Sequence, residues 1–202
     1  MIRITRGVGA VILFVVSAAS LVGVSACAAD RAPTGQTQSA PKPTEVNPPG
    51  DIPDDQVFVP FTDESGTYSL TVPEGWARTS AGSSLTFTDK LNSVTIEPST
   101  APIAPTVDSV TQSQVPSLQS AESNFQLKDV STFTRSGGDG VLVRYLDDSP
   151  TNEVTGKVLR EDVERYVFWK AGQEVDLTLR GPQGADNVDP WWTVSDSFRW
   201  LQ

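Results

Sequence analysis

The stretch Gln173-Glu174-Val175-Asp176-Leu177-Thr178-Leu179-Arg180 decides the fold, because from residue 175 onward it alternates apolar and polar side chains. Successive side chains of a β-strand point to opposite faces of the sheet. Val175, Leu177 and Leu179 therefore share one face, and the polar residues between them share the other. This pattern predicts a strand of an antiparallel sheet that has one buried face and one solvated face.

Turn residues separate pairs of such strands at three places along the chain, one of them directly before the strand just described. Apolar residues alternate on both sides of each turn, which is typical of β-hairpins. The predicted turns are Lys90-Leu91-Asn92, Ser136 to Gly140, and Lys170 to Gln173. They join residues 85–87 with 94–96, 127–135 with 140–147, and 157–169 with 173–180. A further strand, from Tyr68 to Pro73, places Tyr68, Leu70 and Val72 on one face.

Two stretches have the periodicity of helices. One begins near Thr106 and turns Val107 and Val110 inward, and Pro116 is expected to end or kink it. The other is expected to have Asp189 as its N-cap and Pro190 at its first helical position. Its predicted inner face consists of Trp191, Val194, Phe198 and Leu201. Long antiparallel strands with helices at separate points predict an α+β fold, an antiparallel β-sheet flanked by helices.

Residues 1–26 have the parts of a secretory signal peptide, in which Arg3 and Arg6 precede an apolar run. The run is about long enough to cross a membrane as a helix, so hydrophobicity alone does not exclude a transmembrane segment. The lipobox Val24-Ser25-Ala26-Cys27 favours a lipoprotein, because it places the only cysteine at the site of cleavage. Cys27 is predicted to carry the lipid, with two or more acyl chains giving a stable anchor. The chain is therefore expected at the cell membrane, lipid-anchored and facing the extracytoplasmic side.

Residues 27–56 are predicted to be the lipid anchor and a Pro-rich, disordered tether. They contain six of the 15 prolines and almost no large apolar side chain, so they bury too little surface to become ordered. Their serines and threonines fit either O-linked sugars or a plain spacer. Residues 57–202 are then predicted to form one domain of ordinary size.

Charge and composition exclude several classes of function. Without residues 1–26 the chain has 13 basic and 25 acidic residues, a net charge of −12, which argues against nucleic acid as a partner. The acidity is interpreted as an aid to solubility, with an acidic face for a cationic partner as the alternative. The chain has no histidine, so it lacks the base of Ser-His and Cys-His systems and the commonest metal ligand. No disulfide, metal or cofactor is expected.

Aromatic side chains are the candidate contacts for a ligand or a partner, because they offer a large contact area at low entropic cost. Trp192 lies about 100° away from the predicted apolar face of its helix and is expected to be partly exposed. Tyr166 and Phe168 lie on the charged face of their strand, so a helix or a bound apolar ligand must cover them. Trp76 completes the set of candidates.

Acidic residues offer an enzymatic alternative, in which two carboxylates hydrolyse a glycan. Such a pair would be drawn from three neighbouring acids, Glu161, Asp162 and Glu164. In a strand, Glu161 faces away from the other two, which lie on the predicted solvated face with arginines nearby. The adjacent acids Asp54-Asp55 and Asp147-Asp148 lack the ligand spacing of a calcium loop. No catalytic or metal-binding residue is therefore assigned.

Three segments carry a resemblance to a known family. They are Tyr68-Ser69-Leu70-Thr71-Val72-Pro73-Glu74-Gly75-Trp76, Arg165-Tyr166-Val167-Phe168-Trp169-Lys170, and the ending from Gly184-Ala185-Asp186-Asn187 to Phe198-Arg199-Trp200. Together they resemble the LpqN/LpqT type of actinobacterial lipoprotein over about residues 57–202. The resemblance implies a PsbP-like α/β/α sandwich without known catalytic residues, in a cell-envelope binding or scaffolding protein that serves lipid or glycolipid transport.

The sequence thus favours a membrane-anchored cell-envelope lipoprotein with a non-catalytic binding or scaffolding domain. Its expected partner is an envelope protein or an apolar lipid ligand. The alternatives are a carboxylate-based envelope glycan hydrolase and a purely structural spacer. The missing histidine argues against the hydrolase, but no feature of the sequence separates a binding domain from a spacer.

Overall fold

A computed structural model describes residues 48–201, which form two antiparallel sheets and two helices. The larger sheet has the strand order β3-β4-β5-β9-β8-β7-β6, and the smaller has the order β1-β2-β10. The strands are β1 Phe58–Thr62, β2 Tyr68–Pro73, β3 Ala77–Ala81, β4 Ser84–Asp89, β5 Asn92–Thr100, β6 Ser123–Arg135, β7 Gly138–Asp148, β8 Arg160–Lys170, β9 Gln173–Pro182 and β10 Arg199–Trp200. The helices are α1 Val107–Ala121 and α2 Val188–Ser197. The predicted α+β class is confirmed.

The three predicted hairpins are present as β4-β5, β6-β7 and β8-β9. Lys90 and Ala171 take positive φ angles of 51° and 50° in two of the turns, a conformation that tight hairpin turns require. The bounds differ by a few residues from those expected. β8 begins at Arg160, three residues later than predicted, and β7 begins at Gly138, inside the predicted turn.

One face of the large sheet carries the main core. On this face, α2 and the small sheet cover the strands. Val175, Leu177 and Leu179 lie here, as predicted, and are at most 1% exposed. The predicted strand from Tyr68 to Pro73 is β2, and its apolar side chains pack on the same cluster. This core is the layer that supports α2.

The opposite face of the large sheet was expected to be solvated, and at β9 this prediction is wrong. Asp176 and Thr178 are buried, because α1 packs on this face and the guanidinium of Arg165 lies across both side chains. Arg165 donates to Asp176 Oδ2 at 2.6 Å and to Thr178 Oγ1 at 3.0 Å. A second apolar cluster, built on Val110 of α1, packs beside them.

A network of buried charges lies on this α1 face. Arg180 donates to Asp147, which has no exposed surface, and to Glu122. Glu161 lies 3.5 Å from the same guanidinium. Burial raises the pKa of Glu161 and of Glu122, and it raises the pKa of Asp176 to about 6. Arg180 therefore compensates the charges of Asp147, Glu122 and Glu161 in a low-dielectric region, where an unpaired charge is costly.

The helix α1 begins near Thr106, as predicted, and Thr106 is its N-cap, since Thr106 Oγ1 accepts from Ser109 N at 3.1 Å. Pro116 was expected to end or kink this helix; it does not end it, because α1 continues to Ala121. Proline removes one helical N–H, but its ring lies on the exposed side of α1. Burial of Val115 and partial burial of Leu118 against the sheet hold the last turn in place.

The helix α2 differs from the prediction at both ends. Its N-cap is Asn187 instead of Asp189, because the helix starts at Val188. Its inner face is confirmed for Trp191, Val194 and Phe198, which pack on the main core. The helix does not reach Leu201, which is 49% exposed, because the chain after Phe198 pairs with β2 as β10.

Residues 50–56 contact the folded domain, although the sequence analysis assigned them to the tether. Ile52 is buried, and its backbone N–H donates to the Asn187 side chain at 2.8 Å. The signal peptide, the lipobox with Cys27 and the tether as far as residue 47 lie outside the described residues. Within residues 48–201, no helix has the length and apolar character needed to cross a membrane. Both hydrophobic clusters draw their residues from this segment, which therefore contains its own core.

We predict that Arg180→Met destabilises the protein by about 3–5 kcal/mol, because it leaves the buried Asp147 carboxylate without its cationic partner. Urea unfolding would measure the loss. Arg199→Met is the matched control, since Arg199 is exposed and donates only to backbone carbonyls. Equal stability of the two variants would contradict a stabilising role of the Arg180 network.

Candidate functional site

A groove of about 450 Å³ lies between α2 and the ends of strands β6, β7 and β8. We name it the α2 groove. Helix α2 and the small sheet cover the apolar part of the large sheet, and the groove opens where that cover ends. Its aromatic and charged lining consists of Tyr166, Trp191, Trp192, Lys128, Arg135, Arg144, Asp162 and Glu164.

Two ion pairs form the polar floor of the α2 groove. Arg144 and Glu164 are direct partners in the β7-β8 register, and Arg144 Nε lies 2.8 Å from Glu164 Oε1. Lys128 Nζ lies 2.6 Å from Asp162 Oδ1, and the N–H of Gly184 donates to the other oxygen of Asp162 at 3.2 Å. Both carboxylates of the floor therefore have cationic partners.

Trp192 forms the wall of the groove together with Arg135. Trp192 is 53% exposed, and the Arg135 guanidinium lies 4.0 Å from the centre of its ring. Arg135 also donates to Ser195 Oγ at 3.0 Å, to the carbonyl of Thr134 at 3.1 Å and to Tyr166 Oη at 3.2 Å. These contacts hold a cation over the face of an exposed indole, which is the geometry of a cation–π interaction.

Tyr166 connects the wall of the groove to its floor. Its side chain is almost fully buried, and its hydroxyl donates to Glu164 Oε2 at 2.5 Å. Burial, reinforced by the charge of Glu164, raises the pKa of Tyr166 to about 12. The phenol therefore stays protonated at neutral pH, so it donates to Glu164 and accepts from Arg135 at the same time.

The N-terminal end of α2 is fixed by a buried pair of amides. Asn187 Nδ2 donates to Asn92 Oδ1 at 3.0 Å and to the carbonyl of Gly50 at 3.1 Å, while its Oδ1 accepts from Ile52. Asn92 Nδ2 donates to the same carbonyl at 2.9 Å. A Cβ on Gly181 would lie 2.5 Å from Asn92 Oδ1, so only glycine leaves room for the pair.

The C-terminal end of α2 is fixed to the β6-β7 turn, which follows Arg135 directly. Asp196 accepts from the backbone N–H and the hydroxyl of Ser136, both at 2.9 Å. The bond from the backbone N–H lowers the pKa of Asp196. At Gly137 an added Cβ would lie 2.5 Å from the carbonyl oxygen of Phe198. This close approach keeps Arg135 and Trp192 in contact.

The structure brings two of the four predicted contact residues together. Trp192 and Tyr166 both line the α2 groove. Phe168 is fully buried and stacks on Phe198 with a centroid distance of 4.1 Å, so α2 and not a ligand covers it. Trp76 is partly buried elsewhere, beside Ile52 and Asn92.

Sequence reasoning missed Arg135 and Asn187. Arg135 was the last residue of a predicted strand, and no pattern along the chain indicates that it stacks on a side chain 57 positions later. Asn187 entered only as part of a family resemblance. Its N-cap position was a detectable signal, but its side chain is used for contacts with Asn92 and residues 50–52 instead of a helix cap.

A second cavity of about 480 Å³ lies between the small sheet and strands β3-β4, with Asp63, Arg78 and Trp200 in its lining. Its lining also includes four serines and the rings of Phe61 and Tyr68, and none of the predicted contact residues borders it. The α2 groove is therefore the better candidate. Within residues 48–201, no group of three or more acidic or cysteine side chains is placed to hold a metal ion.

The fold matches solved structures at low sequence identity. Cyanobacterial PsbP (CyanoP) of Synechocystis sp. PCC 6803 is 16% identical, with 75% of this chain and 98% of that chain covered and a TM-score of 0.52. The Ran-binding protein Mog1p of Saccharomyces cerevisiae is 9% identical, with 73% and 97% covered and a TM-score of 0.50. The predicted PsbP-like fold is confirmed, and at these identities the likeness concerns the fold alone.

Similarity to LpqN of Mycobacterium tuberculosis, described as involved in cell envelope biogenesis, is distant. The identity is 16%, with 74% of this chain and 93% of that chain covered and a TM-score of 0.42. A Bacteroides thetaiotaomicron protein matches at 12% identity over 71% of this chain, with a TM-score of 0.46, and this chain spans about half (48%) of its length. No protein-family model and no curated protein matches the sequence.

We predict that Asn187→Asp destabilises the domain by about 2–3 kcal/mol, because an oxygen would replace the donor that faces Asn92 Oδ1 and the Gly50 carbonyl. Thermal unfolding would measure this loss. Asn152→Asp is the control, since Asn152 lies in an exposed loop and its side chain forms its hydrogen bonds through Oδ1, which aspartate keeps. Similar unfolding of the two variants would show that the amide pair does not fix α2.

Proposed function

We propose that this protein is a lipid-anchored cell-envelope protein whose folded domain is a non-catalytic binding module, with the α2 groove as its binding site. One observation carries the proposal: Trp192 keeps 53% of its surface exposed, while Arg135 lies against its ring and Asp196 ties the end of its helix to the β6-β7 turn. An exposed aromatic ring held rigidly beside a concave surface loses little entropy when a ligand binds. A pure spacer has no need of such a site.

Membrane attachment through Cys27 is the second part of the proposal. Its support is the lipobox Val24-Ser25-Ala26-Cys27 after an apolar run, together with the composition of the tether. A tether of this length would let the α2 groove reach components near the membrane surface. The proposed partners are therefore an envelope protein or an apolar lipid.

A non-catalytic role is supported by the state of the acids in the groove. Asp162 and Glu164 are each engaged by a cation and a further donor, and the chain has no histidine. Glu161 lies on the opposite face, paired with Arg180. No observation favours the glycan hydrolase. Mog1p, described as Ran-binding, is an example of a binding role on this fold.

We predict that residues 28–202, which keep the whole described fold, retain a component of lipid size when incubated with an envelope extract. Native mass spectrometry would detect the complex as a discrete added mass. Trp192→Ala should reduce the bound fraction by roughly tenfold or more, because it removes the rigid aromatic anchor. It should leave the unfolding temperature nearly unchanged, since the side chain is half exposed.

Ile103→Ala is the control for the loss of an exposed apolar side chain, because Ile103 is 79% exposed and does not line the α2 groove. Its bound fraction should equal that of the parent protein. A bare parent domain would remove the apolar lipid and leave an envelope protein as the proposed partner of the groove. An equal bound fraction in the Trp192→Ala variant would remove the groove from the proposal.

We predict that Cys27→Ala abolishes labelling of the full-length chain by an alkyne analogue of palmitate when the chain is expressed in its envelope context. No other position should take up the label, because Cys27 is the only cysteine of the chain. Ser25→Gly, which keeps a small residue in the lipobox, is the control. Labelling that persists in the Cys27→Ala variant would disprove lipid attachment at this residue.

A further inference from the structure

The charges of the α2 groove do not balance, and the excess charge lies on Arg135. The groove is lined by three cationic side chains and two carboxylates. Lys128 is paired with Asp162, and Arg144 is paired with Glu164 and, outside the groove lining, with Asp129 at 3.7 Å. Arg135 forms no ion pair with any carboxylate of residues 48–201 and donates only to neutral oxygens. The groove is therefore locally cationic in a chain with a net charge of −10.

The surroundings of Arg135 suit recognition of an anion. A guanidinium is planar, always charged and weakly hydrated, and it binds carboxylates and phosphates through two parallel N–H bonds. Contacts with Trp192, Ser195 and Tyr166 orient this guanidinium before a ligand arrives. Its remaining N–H groups have no acceptor within the described segment. The cation is thus preorganised, and it forms no direct ion pair within residues 48–201, although its charge also acts on the nearby Asp196 carboxylate.

The part of the groove around Trp192 and Val188 suits an apolar group. The exposed faces of Trp192 and Val188, which are 53% and 73% exposed, lie beside Pro182 and Ala185 in its lining. A volume of about 450 Å³ falls within the range of about 300–1,000 Å³ that is usual for small-molecule sites. An apolar surface next to an unbalanced cation matches a ligand that has an apolar chain and an anionic head.

We propose that the α2 groove binds an anionic amphiphile, with the head group on Arg135 and the acyl chain on Trp192 and Val188. This inference rests on the proposed function of the groove as a binding site. It adds the chemical class of the ligand, which the proposed function leaves as apolar. The guanidinium of Arg135 would recognise the head group by its negative charge.

Three amphiphiles with the same decyl chain test the inference by isothermal titration calorimetry on residues 28–202, below their micelle concentrations. Decyl phosphate is anionic, decyl maltoside is neutral and decyltrimethylammonium is cationic. Decyl phosphate should bind roughly tenfold or more tightly than decyl maltoside, because a hydrogen-bonded ion pair adds to the same apolar contact. The advantage should shrink as salt is added, and inorganic phosphate alone should bind far more weakly than decyl phosphate.

Arg135→Met should lower the affinity for decyl phosphate to that for decyl maltoside and leave the neutral probe unaffected. Arg135→Lys should recover only part of the loss, because lysine keeps the charge without the paired N–H bonds. Trp192→Ala should weaken the binding of both probes. Arg78→Met is the matched control, since Arg78 also lies against an aromatic ring, 5.3 Å from the centre of Phe61, but outside the α2 groove.

Several outcomes would overturn the inference. Equal affinities of the parent protein for decyl phosphate and decyl maltoside, both lost in the Trp192→Ala variant, would refute the anionic head and leave the groove as an apolar binding site. Equally tight binding of inorganic phosphate would refute the acyl chain. Arg135-dependent binding of a glutamate-rich peptide but not of decyl phosphate would assign the site to an acidic protein segment. Unchanged decyl phosphate binding in the Arg135→Met variant would remove Arg135 from recognition.

Discussion

The buried Asn187 side chain is the interaction on which the rest of the α2 side depends. Its amide joins the residues that enter the domain at 50–52, the start of β5 at Asn92 and the first turn of α2. Every donor and acceptor of this amide is used, and a buried amide without partners would cost roughly 1–3 kcal/mol for each group. The position of α2 is therefore set by directional bonds as well as by the apolar contacts of Val194 and Phe198, and directional bonds fix a helix against sliding.

The two faces of the large sheet solve the problem of polar residues in different ways. On the α1 face, Arg165 and Arg180 lie among buried carboxylates, and the cost of desolvation is offset by charge pairing. On the α2 face, rings of Phe133, Tyr166, Phe168 and Phe198 pack with centroid distances of 4.1–6.4 Å. A charged network thus lies under α1, whereas a layer of aromatic rings lies beneath α2. The candidate site lies on the aromatic side, where its own charges remain near solvent.

Local pattern predicted the strands well, because alternation and turn residues act over a few neighbouring positions. The hairpin around Lys90-Leu91 and the apolar face of β9 follow from such short-range rules. The errors have a different physical source. Asp176 and Thr178 look solvated in sequence, but the ion pair with Arg165 and the cover by α1 make their burial possible. Leu201 continues a helical period in sequence, but pairing of Arg199 and Trp200 with β2 ends the helix. The contact of Arg135 with Trp192 joins residues far apart in the chain, so composition and periodicity do not reveal it.

The α2 groove itself is a consequence of element lengths. A helix of 10 residues is about 15 Å long, whereas a strand of 11 residues such as β8 extends over about 36 Å. Helix α2 and the small sheet cover the end of β8 that carries Tyr166 and Phe168, and the other end is left open. That open end carries Asp162 and Glu164 in place of apolar residues, with Lys128 and Arg144 to pair them. The charged residues therefore lie where α2 and the small sheet no longer cover β8. Arg135 lies at the boundary between the covered and open parts, and its guanidinium is oriented by Ser195, Tyr166 and Trp192, while the two carboxylates of the groove are paired with other cations.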